Sequence, residues 1–195
     1  MVSRQAPEFD RLLAGLAREL GERDLPYMII GGQAVLLHGE PRLTQDIDLT
    51  LGVPPSAADE VLRVCEVLRL EVLPDDAHAF AARTFVLPAA DPPTGVRIDF
   101  VFSTTPYERN AIERAIRVPV GGEEVRFASA EDLILHKLFA GRAHDLEDVR
   151  GVVARKGADL DWGYIERWAH EFAAVEGRGN LPELVLEFRA EAGES

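Results

Sequence analysis

Residues 31–50 read GGQAVLLHGEPRLTQDIDLT, and this stretch decides the fold. The double glycine Gly31-Gly32 follows a short apolar run, Tyr27 to Ile30 (YMII), which reads as a buried strand. Gln33 to His38 reads as a helix closed by Gly39, and residues 41–45 as a loop. Two glycines between a strand and a helix let backbone N–H groups face an anion, and the helix amino end adds favourable potential there. At the other end of the stretch Ile47, Leu49 and Leu51 alternate with Asp46, Asp48 and Thr50. That period of two is a strand with one buried face. Alternation then places the Asp46 and Asp48 side chains on the same face. Carboxylates that close repel unless a cation sits between them, and Mg²⁺ is the usual solution. The competing reading is a solvated face of an edge strand, and a bare Gly-Gly is by itself only a turn.

Working outward, Phe9, Leu12, Leu13, Leu16 and Leu20 recur at helical spacing ahead of this stretch. Behind it, Pro54-Pro55 punctuates, and Ser56 is placed to cap a helix running to about Leu70. Thr84 to Leu87 reads as a strand, and residues 88–95 (PAADPPTG) as a turn-rich link. Val96 to Phe102 (VRIDFVF) is a strand, and Tyr107 to Arg114 a short helix. Two short β runs, 118–120 and 125–127, flank Gly121-Gly122 as a hairpin. From Ser129, an amino-terminal cap, the pattern is helical: through Phe139 to Gly141, then about 145–156, 161–175 and 182–190. The expected class is therefore α+β, with strands and helices first and an all-helical region after them.

Two further clusters carry chemistry. Asp99 sits in a strongly apolar strand, where an ionised carboxylate is costly unless paired or metal-bound. If its strand lies beside that of Asp46 and Asp48, three carboxylates converge, a geometry that holds two metal ions and activates a hydroxyl for attack at phosphorus. The alternative for Asp99 is a salt bridge to Arg97 or a later arginine. The second cluster is SAEDLILHKLFAGRAHDLEDVR, residues 129–150. Lys137 lies inside an apolar helix and either snorkels to solvent or meets an anion. Asp145 and Asp148 share a helix face three residues apart, with Arg142 just before them. They read either as acids orienting a phosphate-facing lysine or as a salt-bridged helix pair. His38, His136, Cys65, Tyr27, Trp162 and Trp168 read as packing residues.

Composition sets the outer bounds. The 195 residues carry 34 acidic and 21 basic side chains, a formal charge of −13, the wrong sign for non-specific grip on DNA. One cysteine, Cys65, allows no internal disulfide and fits a reducing compartment. The start MVSRQAPEFDRLL has no long apolar run, and no stretch is apolar enough to span a membrane, so a cytoplasmic protein without a membrane partner is expected. Walker A, GxGxxG and HExxH patterns are absent from the sequence, against P-loop ATPases, Rossmann oxidoreductases and zincins.

The run GGQAVLLHGEPRLTQDIDL resembles the first motif of the polymerase-beta-type nucleotidyltransferase superfamily, Gly-Gly/Ser followed about a dozen residues later by Asp-x-Asp. Its Arg-x-Thr-x-Asp-Ile-Asp-Leu form is most similar to the AbiEii/AbiGii-type abortive-infection toxins and their relatives, as is SAEDLILHKLFAGRAHDLEDV. The resemblance covers about residues 24–155. It implies a small mixed β-sheet core with flanking helices over residues 1–128, and a helical C-terminal region, 129–195, packing on the cleft. It implies that Gly31 and Gly32 hold nucleotide phosphates and that Asp46, Asp48 and Asp99 bind one or two Mg²⁺ ions. By the same resemblance Asp99 helps deprotonate the attacking hydroxyl, and Lys137 meets the triphosphate. Asp148 matches the family's later aspartate better than Asp145, and Arg42 and Thr44 match the loop before the acids, which implies that they contact the nucleotide phosphate or brace that loop. The implied partners are a nucleoside triphosphate, a tRNA, other RNA or protein acceptor, and a cognate antitoxin protein. Two alternatives stand beside this toxin reading. One is transfer to a small molecule of the antibiotic kind, which the charge of −13 favours. The other is a non-catalytic binding or regulatory protein on the same fold.

Overall fold

The computed structural model describes residues 5–40, 44 and 46–193, with side chains from residue 8 onward. Two compact units emerge, one from Met1–Ile30 with Thr44–Phe127, the other from Gly31–Leu43 with Ala128–Ser195. Arg42 lies outside the described residues.

The first unit is built on a sheet. Its strands are β1 (Tyr27–Ile30), β2 (Asp46–Leu51), β3 (Glu71–Val72), β4 (Val86–Ala90), β5 (Arg97–Phe102), β6 (Ile116–Val120) and β7 (Glu123–Phe127). Their order across the sheet is β3-β4-β5-β2-β1-β7-β6. β2 runs antiparallel to β1 and parallel to β5, and β7 runs parallel to β1, so the sheet is mixed. The helices of this unit are α1 (Gln5–Glu22), α3 (Ala58–Leu68), α4 (Ala77–Thr84) and α5 (Pro106–Arg114). α1 buries Leu12, Leu13, Leu16 and Leu20 and packs on β7, β6 and α3.

The register at the centre follows from hydrophobic alternation. Ile47, Leu49 and Leu51 of β2 stand opposite Ile98, Phe100 and Phe102 of β5, and all six are buried. Each such side chain contributes about 1.5–3 kcal/mol by leaving water. A slip of one residue would turn the intervening acids into the core, so this apolar row fixes where the acids stand.

The second unit holds α2 (Gly31–His38), α6 (Ala130–Ala140), α7 (Ala143–Lys156), α8 (Trp162–Phe172) and α9 (Leu181–Gly193). α2 packs on α6 and α7, α6 on α7 and α8, and α9 on α7 and α8. Ser129 caps α6 by accepting from the Asp132 N–H at 3.1 Å. The Asp132 carboxylate in turn accepts from Ser129 Oγ (2.7 Å) and from the Tyr164 hydroxyl (2.7 Å), which fastens α8 to the start of α6. Phe139, Phe172 and Trp168 continue that seam, with ring centroids 5.3 and 6.1 Å apart. The α+β architecture expected from the sequence, a mixed sheet with helices around it and helices after it, is the one observed.

Several local expectations are corrected. Ser56 does not cap α3: it lies in a 3-10 turn, Pro55–Ala57, and α3 begins at Ala58 without a side-chain cap. Thr84 ends a helix instead of opening a strand. Asp76 caps that helix, α4, by accepting from the Ala79 N–H at 2.9 Å, a cap signal the Ala-rich segment conceals. β4 runs on through Pro88 to Ala90, residues that read as a turn in sequence. Pro88 has no N–H to give the ladder, and the neighbouring edge strand ends at Val72; the Pro88 carbonyl accepts from Leu73 N–H at 3.0 Å just past that end. Gly31 and Gly32 belong to α2 instead of forming a turn before it, with Gly31 in the left-handed region at φ 65°.

Candidate active site

In the first unit one row of side chains crosses four strands. Ile30 of β1, Asp48 of β2, Asp99 of β5 and Pro88 of β4 are successive register partners. Neighbouring residues in register share a sheet face, so Asp48 and Asp99 stand side by side on the face opposite the apolar row. Asp46, two residues before Asp48, shares that face and is paired in register with Arg97. The strands of Asp46–Asp48 and of Asp99 are thus neighbours, as the three-acid reading requires.

The fate of Asp99 is the salt bridge that sequence offered as its alternative. Arg97 Nε donates to Asp99 Oδ1 at 2.9 Å, with the two side chains 51% and 23% exposed. A bridge that open to solvent is screened and contributes about 0–1 kcal/mol. Among the described residues no group of three or more His, Cys, Asp or Glu side chains is drawn together as a metal site. The donor chemistry nonetheless suits Mg²⁺: three hard carboxylates, two from one strand and one from its parallel neighbour, on one face. Thr44 Oγ1 lies 3.4 Å from the Asp46 carbonyl oxygen, a long contact at the entry to β2. Beside the acids is a cavity of about 470 Å³, lined by Leu73, Asp75, Phe80, Arg83, Pro88 and Arg97 among others.

In the second unit Lys137 is the centre of a buried ionic knot. Its Nζ lies 2.9 Å from Asp145 Oδ1 and 2.7 Å from Asp148 Oδ2, and all three side chains are at most 7% exposed. Asp145 also accepts from Arg142 Nε at 2.6 Å, from Arg142 Nη2 at 3.2 Å and from the Arg142 backbone N–H at 3.2 Å. Burial pushes the Asp145 carboxyl upward, but hydrogen bonds and charge from Arg142 and Lys137 outweigh it and hold the group below the usual carboxylate range. Lys137 is therefore held in place by both acids, which suits either an oriented phosphate-binding cation or a structural tie between α6 and α7. His38 is buried, with Nε2 2.8 Å from the Ala128 carbonyl oxygen, and burial lowers its pKa. It is the packing residue the sequence suggested.

Residues 11–190 match a family model described as a nucleotidyltransferase of unknown function, DUF6036. The chain belongs to this family. A comparison with curated protein sequences found no match. Solved structures give the same fold. The antibiotic-resistance factor ANT(2'')-Ia superposes with a TM-score of 0.59 at 19% identity, over 90% of this chain and 98% of that one. An antigenic nucleotidyltransferase-like protein from Paracoccidioides brasiliensis gives 0.58 at 18% identity, over 98% and 92% of the two chains. JHP933 from Helicobacter pylori gives 0.54 at 16%, over 100% and 93%.

Within this DUF6036-family chain the sequence missed two partners. The tie from Tyr164 to Asp132 joins residues 32 positions apart, and no local pattern announces it. The doubling of acids on Lys137 was half visible, since Asp145 and Asp148 follow in one helix, but that both reach one Nζ depends on how α6 meets α7. No helix of the described residues is long and apolar enough to cross a membrane.

Proposed function

We propose that this nucleotidyltransferase-family chain transfers a nucleoside monophosphate from an NTP to an acceptor hydroxyl in a Mg²⁺-dependent reaction. The observation that carries the reading is the register of Asp48 against Asp99 with Asp46 on the same face. Asp46, Asp48 and Asp99 are the residues to hold Mg²⁺, which when bound neutralises charge on the phosphates. Asp99 accepts the proton of the acceptor hydroxyl. The acceptor oxygen forms a bond to the α-phosphorus, the bond from that phosphorus to the α,β-bridging oxygen breaks, and pyrophosphate leaves.

Gly31 and Gly32 offer backbone N–H groups to phosphate at the start of α2, and Arg42 and Thr44 are the further candidates to contact nucleotide phosphate. Lys137 is the cation for the leaving pyrophosphate, and Asp148 with Asp145 aims it. The toxin reading, with an RNA or protein acceptor and a cognate antitoxin, rests on the motif resemblance at residues 31–50 and 129–150. The formal charge of −13 favours a second acceptor class, a small molecule, because an RNA acceptor would favour a basic surface.

The test is transfer from labelled NTPs with Mg²⁺ to total RNA, to proteins of a lysate and to a metabolite extract. Transfer should fall at least about a hundredfold in Asp46→Asn and in Asp48→Asn. Transfer that persists in both variants would refute the assignment. Label found only on small molecules would select the second acceptor class, and no transfer with no Mg²⁺-dependent nucleotide binding would favour a binding protein.

A further inference from the structure

We infer that Arg97 is a resident counter-ion of the acidic face, which a divalent cation must displace from Asp99 in order to bind there. The inference rests on the proposed metal role of Asp46, Asp48 and Asp99 and adds a residue that competes for it. Three features of the structure support it. First, Arg97 stands in register with Asp46, two residues along β5 from the Asp48–Asp99 pair, so its guanidinium belongs to the same face as the acids. Second, it is bonded to one of them, Nε to Asp99 Oδ1 at 2.9 Å, with the Arg97 side chain half exposed and that of Asp99 about a quarter exposed, so its release costs little. Third, Arg97 lines the cavity of about 470 Å³ beside β4, which gives the guanidinium a place to turn when Asp99 is taken by another cation.

The physical logic is that of two cations at one carboxylate. Carboxylates lined up on adjacent strands repel, and some positive charge has to lie among them. A monovalent guanidinium on the same strand supplies it at no cost in association. A divalent ion that takes Asp99 meets the repulsion of Arg97 as well as the attraction of the acids. Arg97 thereby lowers the affinity for the free metal ion, and favours occupancy when the metal arrives with the extra negative charge of a triphosphate. The opposite arrangement, in which Arg97 steadies Asp99 through one oxygen while the other ligates the metal, would make Arg97 a helper of metal binding. The two differ in sign.

The experiment measures Mn²⁺ affinity by electron paramagnetic resonance, with and without a non-hydrolysable NTP, for the full chain, Arg97→Gln, Arg97→Lys and Asp48→Asn. Circular dichroism checks that each is folded. The expected result is tighter binding of free Mn²⁺ in Arg97→Gln by about twofold to fivefold, the gain that releasing an exposed bridge allows, a smaller gain in the presence of the nucleotide analogue, and an affinity in Arg97→Lys close to that of the unaltered chain. Unaltered or weaker Mn²⁺ binding in Arg97→Gln, with binding still lost in Asp48→Asn, would overturn the role of Arg97 and leave the metal site standing. Binding that is indifferent to Asp48→Asn, or absent from the chain and from Arg97→Gln alike, would overturn both.

Discussion

Replacing Lys137 by Met should unfasten α6 from α7. The side chain is of similar length, so the change is chiefly one of charge. Its Nζ is the 2.7 Å partner of Asp148 and the 2.9 Å partner of Asp145, in a place where no member of the trio is more than 7% exposed. Breaking a buried pair by removing one partner costs about 3–5 kcal/mol, because the remaining charge has lost its compensation. Here Asp145 keeps Arg142, at 2.6 Å, so the expected loss lies at the lower end, about 3 kcal/mol. For a chain of this size that corresponds to a fall in Tm of about 6–12 °C.

Urea unfolding followed by circular dichroism reads the loss directly, as a shift in midpoint at constant slope. The double variant Lys137→Met with Asp148→Leu removes a cation and an anion together, and should recover part of the stability. The sign of the pH effect is fixed too. Asp145 is held below its unfolded pKa, so the stability it contributes is complete above about pH 4 and is lost as pH falls from there through the folded value. Lys137→Met should weaken that acid dependence. An unfolding free energy within about 0.5 kcal/mol of the unaltered chain, or a double variant less stable than the single, would refute this account of the knot.

Other perturbations test the units separately. Gly121→Ala should cost about 2–3 kcal/mol, because Gly121 has φ 57° and an added Cβ would lie 2.9 Å from Ala14 Cβ and 3.2 Å from the Asp10 carbonyl oxygen. Gly122→Ala, at φ 91° with open space around it, should cost only about 1 kcal/mol in the same denaturation assay. His38 is buried with a pKa below its ordinary 6.5, so stability should fall as pH drops below about 6.5, where the unfolded chain takes up a proton that the folded one refuses. Comparing midpoints at a series of pH values, His38→Gln should lose that component. Burial pushes the Cys65 thiol up to about 12, so in the native protein it should react with a disulfide reagent on the order of a hundredfold more slowly than in denaturant.

By itself the sequence determined the pieces whose signal is local. The alternation in DIDLTL and VRIDFVF announces two strands, each with one buried face, because the period of two is imposed by the backbone and the burial by water. The glycine pair, the Asp-x-Asp spacing and the cap at Ser129 are equally local, and they led to the fold class and to the candidate acids. Short elements escaped, since α4 and the two-residue β3 have too few residues to establish a period. What the tertiary structure alone decided is which distant residues become neighbours. Asp48 beside Asp99, and Asp145 with Asp148 on one ammonium, depend on strand register or helix packing. Register is set by the summed burial of the apolar rows beneath the acids, and that sum belongs to no single segment of the chain.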